Sequence, residues 1–315
     1  MSEPQTTRAG FVAVIGAPNA GKSTLVNAMV GAKVSIVTQK VQTTRARIRG
    51  IAMNGPVQTV FVDTPGIFKP RRRLDRAMVQ AAWDGTEGAD ATLLMVDAVA
   101  YVAAEEAGAK PAALKAVDDT DAIVEALQKA GAKAVLALNK VDKVKRERLL
   151  ALAQRFNETG AFTDIFMISA EKGSGVEDLR ARLEALMPEG PWLYPEDQIA
   201  DISERLLAAE VTREKLFLRL HEELPYASTV ETERWIRTKK GDLRIEQTIY
   251  VERETQKSIV LGKGGRTVKE IGQTARQELE EMLDEKVHLF LFVKVREAWA
   301  DDPARYREMG LDIVE

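Results

Sequence analysis

The segment GAPNAGKS, residues 16–23, lies between an apolar run and a helical pattern, and it decides the fold of the first half of the chain. Four residues complete the spacing G-x-x-x-x-G-K-[ST]: Gly16, Gly21, Lys22 and Ser23. In this spacing, backbone N–H groups of a glycine-rich loop and a helix N-terminus surround phosphate groups. We predict that Lys22 reaches the β- and γ-phosphates of a nucleotide and that Ser23 binds Mg²⁺. The predicted nucleotide-binding residues also include Asn19, Ala20 and Thr24.

Length and composition indicate a globular protein of two domains. A chain of 315 residues exceeds the usual size of one hydrophobic core, and 45% hydrophobic residues are enough to form two. The net charge of −3 does not indicate a nucleic-acid-binding protein, so local clusters of charge must decide that question.

The cysteine and histidine content and the lack of long apolar segments also indicate which cellular compartment and which kinds of metal site or disulfide are possible. The chain has no cysteine, which excludes disulfides and cysteine-bound zinc and fits a reducing compartment. Two histidines, His221 and His288, are expected at the surface or in packing rather than in a metal site. The N-terminus lacks the apolar region of a secretory signal, and the apolar segment 91–104 is too short to span a bilayer. We expect a cytoplasmic protein.

The first half alternates short apolar runs with helical patterns. The runs lie at 11–16, 59–63, 92–97, 133–139 and 164–169. Apolar strands alternating with helices predict an α/β fold whose mostly parallel sheet is covered on both faces. A hairpin with its turn at Asn54–Gly55 should add one antiparallel strand, which makes the sheet mixed. Ligands bind such sheets at the carboxyl ends of the strands.

The second half has a different pattern, typical of an α+β domain. The proline-rich stretch MPEGPWLYPEDQIAD begins at residue 187 and predicts a linker. Beyond it we predict a helix near 203–222, a hairpin turning at 240–242, a helix over 266–283 and a strand over 287–295. The predicted organisation is a flexible tail at 1–8, a first domain at 9–187, a linker at 188–202 and a second domain at 203–315. The biased stretch 103–116 predicts a surface excursion with helical tendency.

A second phosphate-site motif, DTPG, follows the apolar strand that ends at Asp63. A carboxylate at a strand end can hold the hydration shell of Mg²⁺, and the N–H of Gly66 can contact the γ-phosphate. We therefore predict that Asp63 takes part in metal binding and that Thr64 and Gly66 belong to the nucleotide site.

A third motif, NKVD at residues 139–142, predicts which base is bound. Asp142 can accept hydrogen bonds from the N1–H and the exocyclic amine of guanine, whereas adenine would leave this carboxylate unpaired. Asn139 is predicted to brace the loops, and Lys140 is predicted to lie along the base. SAEKG at 169–173 supplies Ser169 and the Ala170 N–H, which we expect to reach guanine O6. The predicted ligands are therefore GTP and GDP.

In this order the motifs resemble those of the translation-factor-like GTPases. The resemblance requires a switch threonine that reaches Mg²⁺ and the γ-phosphate, and the sequence offers Thr43 and Thr44, of which we favour Thr44. The predicted metal ligands are Ser23, Thr44 and Asp63, and the predicted catalytic groups are Lys22, Thr44 and Gly66.

Two positions bear on the hydrolysis mechanism. Ras-like proteins carry a water-orienting glutamine after the D-x-x-G glycine, where this chain has Ile67, so intrinsic hydrolysis should be slow. Asn19 resembles the asparagine that helps some GTPases bind K⁺ beside the phosphates, which predicts turnover stimulated by K⁺. A plain loop-bracing role for Asn19 is the alternative.

A second glycine–lysine loop lies in the segment LGKGGRTVKEIG, residues 261–272. Positive charge is concentrated there and at the start of the following helix. The predicted RNA-binding residues are Gly262, Lys263, Gly264, Gly265, Arg266 and Lys269. The glycines permit close approach of a polyanion, and Lys263 and Arg266 can neutralise it. G-x-x-G followed by a helix and a strand resembles the KH domain, whose loop clamps single-stranded nucleotides, with Ile259 and Val260 expected beneath the bases. A glycine-rich helix entry with a solvated charged face is the alternative.

A G domain followed by a KH-like domain is similar to the Era family of bacterial ribosome-assembly GTPases, and the likeness runs almost end to end. It includes the linker EGPWLYPEDQIAD, REKLFLRLHEELPY at 213–226 and VKVREAWADD at 293–302. The resemblance implies a type II KH domain and a monomer. It also implies binding to the 3′ end of small-subunit (16S) ribosomal RNA and to the immature 30S subunit, with peripheral association with the inner membrane. The stretch 103–121 is longer than the family's usual pattern.

The favoured hypothesis is a GTPase whose RNA binding depends on whether GTP or GDP is bound. One alternative is an RNA-binding scaffold with a nearly inactive G domain, which fits Ile67. Another is a membrane-linked signalling GTPase whose second domain binds protein. The charged triplet at 71–73 could contact RNA or could be solvated switch-loop charge.

Overall fold

The computed structural model describes residues 6–38, 40, 43–70, 72–221, 224–297, 299 and 311. These residues form two compact units. The first consists of the described residues of 1–35, 44–201 and 309–315, and the second of those of 36–43 and 202–308. Part of the charged triplet at 71–73, part of the stretch 293–302 and most of the predicted N-terminal tail lie outside the described residues.

The first unit is built on a mixed sheet. Its strands among the described residues are β1 (Arg8–Gly16), β2 (Ile48–Asn54), β3 (Val57–Asp63), β4 (Ala91–Asp97), β5 (Ala134–Asn139), β6 (Phe162–Met167) and β7 (Ala200–Asp201). Their order across the sheet is β6-β5-β4-β1-β3-β2-β7. The pairs β1–β3, β1–β4, β4–β5 and β5–β6 are parallel, whereas β2 runs antiparallel to both of its neighbours. The predicted α/β class with a mostly parallel sheet is confirmed.

Helices cover both faces of this sheet. They are α1 (Lys22–Val30), α2 (Arg73–Asp84), α3 (Ala98–Ala104), α4 (Pro111–Lys129), α5 (Arg146–Glu158) and α6 (Val176–Leu186). One apolar cluster packs α1 and α6 on the sheet, and a second packs α3, α4 and α5 on it. β4 and β5 contribute to both clusters because successive side chains of a strand point to opposite faces. This explains their continuous apolar sequences.

Two details of the first unit differ from the sequence expectation. The hairpin turn is Gly55–Pro56 rather than Asn54–Gly55, because Asn54 still pairs with Val57 in the ladder. Gly55 supplies the positive φ of 54°. The strand predicted at 164–169 occupies 162–167. The stretch 103–116 has the predicted helical tendency and contains no buried residue, as expected of a surface excursion, whereas α4 buries Ile123 further along.

The segment predicted as a linker packs on the first unit. The Trp192 indole N–H donates to the Pro56 carbonyl at 3.1 Å, and the Gln58 side-chain oxygen accepts the N–H groups of Leu193 and Tyr194. β7 then pairs with β2. The sequence did not predict β7, because a strand of two residues has no detectable periodicity. At the other end, β1 begins at Arg8, inside the predicted tail. The domain boundaries remain predictions.

The second unit has the predicted α+β architecture. Its elements are α7 (Glu204–Arg219), β8 (Ser228–Arg237), β9 (Leu243–Val251), α8 (Glu254–Leu261), α9 (Arg266–Leu283) and β10 (Val287–Val295). Among the described residues the sheet has the order β10-β9-β8, with β10 parallel and β8 antiparallel to β9. α9 and β10 have the predicted bounds. Ile271, Ala275 and Leu279, spaced three or four residues apart on one face of α9, are buried.

Candidate functional site

The phosphate loop connects β1 to α1. β1 ends at Gly16, and α1 begins at Lys22, whose ammonium donates to the carbonyls of Gly16 (3.1 Å) and Ala17 (3.2 Å). The ammonium is therefore folded back over the predicted phosphate-binding loop. Burial lowers the pKa of Lys22 to about 8, and the Asp63 carboxylate opposes this shift. Oxygens of a bound nucleotide would give the ammonium charged partners.

Asp63 ends β3 beside this loop and is fully buried. Its Oδ2 accepts hydrogen bonds from Ser23 Oγ (2.7 Å), Ser35 Oγ (2.6 Å) and, at 3.4 Å, Thr44 Oγ1. The hydroxyls of Ser23 and Thr44 lie 2.9 Å apart. Burial raises the pKa of Asp63, whereas its hydroxyl partners and the Lys22 charge lower it. The three predicted metal ligands therefore lie together. Ser35 also bonds to Asp63, although Ser35 belongs to no recognised nucleotide-binding motif.

These oxygens fit a magnesium ion. Mg²⁺ takes hydroxyl, carboxylate and water oxygens in near-octahedral geometry. Asp63 Oδ1 is buried and has no hydrogen-bond partner among the described residues, so a cation or its water shell would satisfy it. Ser23, Thr44 and Asp63 would hold the ion, which neutralises phosphate charge when it is bound.

The structure also separates the two candidate switch threonines. Thr44 is buried beside Asp63. The Thr43 hydroxyl instead donates to the Lys40 carbonyl at 2.7 Å and lies 2.6 Å from the Thr38 hydroxyl. This placement favours Thr44 as the residue that reaches the metal.

The DTPG loop passes close to the phosphate loop. A Cβ at Gly66 would lie 2.9 Å from Pro18, so the approach of the two backbones requires glycine. The buried Thr64 hydroxyl donates to the Val14 carbonyl at 2.8 Å and fixes the strand end. Ile67 donates its N–H to the Gly16 carbonyl at 3.1 Å, and its side chain is buried in the core. That side chain cannot orient an attacking water.

Asn139 braces the loops as its motif predicted. Its amide nitrogen donates to the Ala20 carbonyl at 2.8 Å, and its oxygen accepts the Ala170 N–H at 2.9 Å. A Cβ at Gly21 would lie 2.2 Å from the Asn139 amide nitrogen, so no other residue fits at that position. The Ala170 N–H, expected to reach guanine O6, is thus directed to Asn139 in this structure.

Asp142 presents its carboxylate beside the 169–173 loop. A hydrogen bond from Ser169 holds the pKa of Asp142 below its usual range, and Lys172 contributes from 3.2 Å. The group is therefore an ionised acceptor at neutral pH, as recognition of guanine N1–H and its amine requires.

The glycine–lysine loop of the second unit lies between α8 and α9. Gly262 has φ of 72°, and a Cβ there would lie 2.2 Å from the Thr267 hydroxyl. Lys263, Arg266 and Lys269 are exposed, and the last two lie in the first turns of α9. Three cationic side chains therefore face solvent at or near a helix start, an arrangement that suits the binding of phosphate groups.

A groove of about 410 Å³ lies between α9 and β10. It is lined by Val268, Lys269, Gly272, Gln273, Arg276, Leu289 and Leu291. A Cβ at Gly272 would lie 3.3 Å from Leu291, so glycine keeps the groove open. Sequence reasoning missed most of this lining, although Lys269, Gln273 and Arg276 follow the three-and-four spacing of one helix face. The expectation for Val260 is wrong because it is fully buried in the core, whereas Ile259 is exposed.

Comparison with known proteins identifies the family. A family described as 50S ribosome-binding GTPase matches residues 11–140, and the KH domain family matches residues 223–300. GTPase Era of Caulobacter vibrioides (strain NA1000 / CB15N) is 62% identical over 306 residues, which cover 97% of each chain. The chain belongs to the Era family of GTPases. GTPase Era of Brucella suis biovar 1 is 61% identical over 311 residues, 99% of this chain and 96% of that one.

Solved Era structures have the same fold. A crystal structure of Era in complex with MgGDPNP and nucleotides 1506–1542 of 16S ribosomal RNA matches with a TM-score of 0.87 at 37% identity. It covers 96% of this chain and 99% of that one. A variant of Aquifex aeolicus Era bound to GDP·AlF4⁻ matches with a TM-score of 0.86 at the same identity and coverage. As a member of the family, this chain is a GTPase that binds GTP and GDP, and its second unit contains a KH domain.

Proposed function

We propose that this Era-family GTPase binds the 3′ end of small-subunit (16S) ribosomal RNA and assists maturation of the 30S subunit. Its affinity for RNA depends on whether GTP or GDP is bound. The observation that carries the proposal is the groove of the KH domain, which is lined by Lys269 and Arg276 of α9, the helix that begins at the exposed Arg266 and follows the exposed Lys263. A single strand fits this geometry because the loop can clamp its phosphates while the apolar strand side of the groove receives bases.

Similar proteins support the choice of RNA. The Era structure with 37% identity to this chain holds nucleotides 1506–1542 of 16S ribosomal RNA together with MgGDPNP. Relatives 62% and 61% identical to this chain carry the name GTPase Era. The present chain has a candidate site for each ligand of that complex. The nucleotide site of the first unit suits MgGDPNP, and the KH groove of the second unit suits the RNA.

The path of the chain supports dependence on the nucleotide. Thr44 lies beside Ser23 and Asp63 in the first unit, whereas the described residues of 36–43 belong to the second unit. A movement of Thr44 toward the γ-phosphate is therefore transmitted along the chain to residues of the second unit.

Residues preceding Thr44 are held by α7 within the second unit. The Arg213 guanidinium donates to the Thr43 carbonyl, and Glu214 Oε1 accepts the Val37 N–H at 2.8 Å. Both charged side chains are buried, so the anchorage is weakly screened by salt. GTP changes RNA affinity if it stabilises one arrangement of this segment more than GDP does.

The test reverses the charge of Lys263 and Arg266 to glutamate. Affinity for an oligonucleotide of the 16S 3′ end should fall by about 100-fold or more at moderate salt, because two phosphate-neutralising cations become anions. Lys129→Glu with Lys145→Glu makes the same charge change on exposed residues of the first unit and is the matched control. Equal RNA affinity of the parent and the loop variant would contradict the proposal.

We also propose K⁺-stimulated hydrolysis through Asn19. Asn19 lies within the phosphate loop, its side chain is exposed, and its backbone is left-handed with φ of 64°. Hydrolysis should be faster in KCl than in NaCl, and Asn19→Ala should remove the difference. Equal rates of the parent in the two salts would refute K⁺ stimulation.

For location, we propose a monomer in the cytoplasm with peripheral contact with the inner membrane, which rests on the family resemblance. No helix in the part of the chain that the structure describes could cross a membrane. Flotation with vesicles of bacterial phospholipid tests the contact, and recovery of all protein in the unbound fraction would count against it. Sedimentation equilibrium tests the monomer.

A further inference from the structure

Two residues of the nucleotide site have an unusual backbone and contact each other. Asn19 (φ 64°) and Lys140 (φ 66°) are two of three non-glycine residues with positive φ among those the structure describes. The Lys140 ammonium donates to the Asn19 carbonyl at 2.9 Å. A left-handed backbone at a residue with a Cβ persists where its surroundings hold it in place.

A third residue completes this contact. Asp97, the last residue of β4, places its Oδ2 2.5 Å from the Lys140 ammonium. Its Oδ1 accepts the N–H groups of Val99 (3.0 Å) and Ala100 (3.2 Å) and so caps α3. The two carboxylate oxygens thus have separate partners. The side chains of Lys140 and Asp97 are 29% and 18% exposed, so solvent screens their attraction only in part.

We propose that Asp97 is a positioning residue for nucleotide binding. Its carboxylate holds the Lys140 ammonium on Asn19 and thereby joins the base-recognition loop to the phosphate loop. Lysine is a point charge on a flexible stem, so its location depends on a fixed counter-charge. The inference rests on the predicted role of Lys140 along the base and is independent of RNA binding.

Charge alone predicts the opposite result. Asp97 is an anion in a site that binds a polyphosphate, so its removal should strengthen nucleotide binding by Coulomb's law. If Asp97 acts by positioning Lys140, its removal weakens nucleotide binding. The sign of the effect therefore distinguishes the two explanations.

Asp97→Asn is the decisive variant because asparagine caps a helix as well as aspartate does but carries no charge. Dissociation of a fluorescent GDP analogue should become about 10-fold faster, which corresponds to loss of one hydrogen bond between charged groups. The KM for GTP should rise by a similar factor, with a much smaller change in kcat. The unfolding temperature of the nucleotide-free protein should stay near that of the parent.

Asp97→Ala should accelerate dissociation equally but also lower the unfolding temperature, since it removes the cap. Lys140→Gln should accelerate dissociation, and adding Asp97→Asn to it should have no further effect. Asp97→Asn should weaken the binding of GDP and of inosine diphosphate by the same factor, because the contact between Asp97 and Lys140 does not involve the exocyclic amine of the base.

Two results would overturn the inference in distinguishable ways. If Asp97→Asn releases GDP no faster than the parent while Lys140→Gln does, Asp97 does not position Lys140. If Lys140→Gln has no effect, the assumed role of Lys140 fails, and the inference fails with it.

Discussion

Ser23 Oγ donates a hydrogen bond of 2.7 Å to Asp63 Oδ2, and this bond joins the start of α1 to the end of β3. The other carboxylate oxygen of Asp63 is buried and has no hydrogen-bond partner among the described residues. A buried acceptor without a donor is costly, and a metal ion with its bound water removes that cost. The site is therefore organised for a cation as well as for phosphate.

Asp63→Asn should weaken GTP and GDP binding by about 10- to 100-fold in the presence of Mg²⁺, the usual cost of a lost metal-site contact. In EDTA the parent and the variant should differ little. Fluorescence titration in the two buffers measures both. The nucleotide-free variant should be no less stable than the parent, because a buried charge has been removed. Equal affinities in Mg²⁺ would show that Asp63 does not act through the metal.

The stability of the nucleotide-free protein should depend on pH through Lys22. Its pKa is lowered by burial from 10.5 to about 8, so the unfolded chain binds more protons between these values. The penalty for burying the charge is fully present below pH 8. The free energy of unfolding therefore rises as pH increases from about 8 to 10.5, by at most about 3 kcal/mol. Urea unfolding across this range should show the rise in the parent and not in Lys22→Met.

Gly272→Met should block the KH groove without changing charge. A methionine side chain at this position would project toward Leu291, which already lies 3.3 Å from the position of a Cβ. RNA affinity should fall by about 10-fold or more, whereas the salt dependence of binding should stay the same because the phosphate contacts remain. Thr274→Met, on an exposed part of α9, should bind RNA as the parent does. A changed salt slope would show that the loop itself had been displaced.

Arg213→Lys should reduce the dependence of RNA binding on the nucleotide. Arg213 is 1% exposed and bonds both carboxylate oxygens of Glu210 as well as the Thr43 carbonyl, a set that an ammonium cannot reproduce. The ratio of RNA affinities with a non-hydrolysable GTP analogue and with GDP should move toward one. Arg219→Lys, which alters an exposed pair with Glu270, is the control. An unchanged ratio in Arg213→Lys would exclude this anchorage as part of the coupling.

Patterns among neighbouring residues were sufficient to predict most of the helices and strands. α9 and β10 have their predicted bounds because helical and strand periodicities are written in neighbouring residues. The position of the hairpin turn was misjudged by one residue because Asn54–Gly55 and Gly55–Pro56 are both acceptable turn pairs. The ladder between β2 and β3, set by packing of the whole sheet, selects the second.

The sequence by itself determined the family, the α/β and α+β classes, and the identity of the phosphate and base motifs, since each depends on residues close together in the chain. Tertiary structure decided which of two threonines lies beside Asp63, which glycine keeps the KH groove open, and that Asp97 meets Lys140. These relations are distances of a few ångströms between residues tens of positions apart. The strand order of the sheets creates them, and no local periodicity records them.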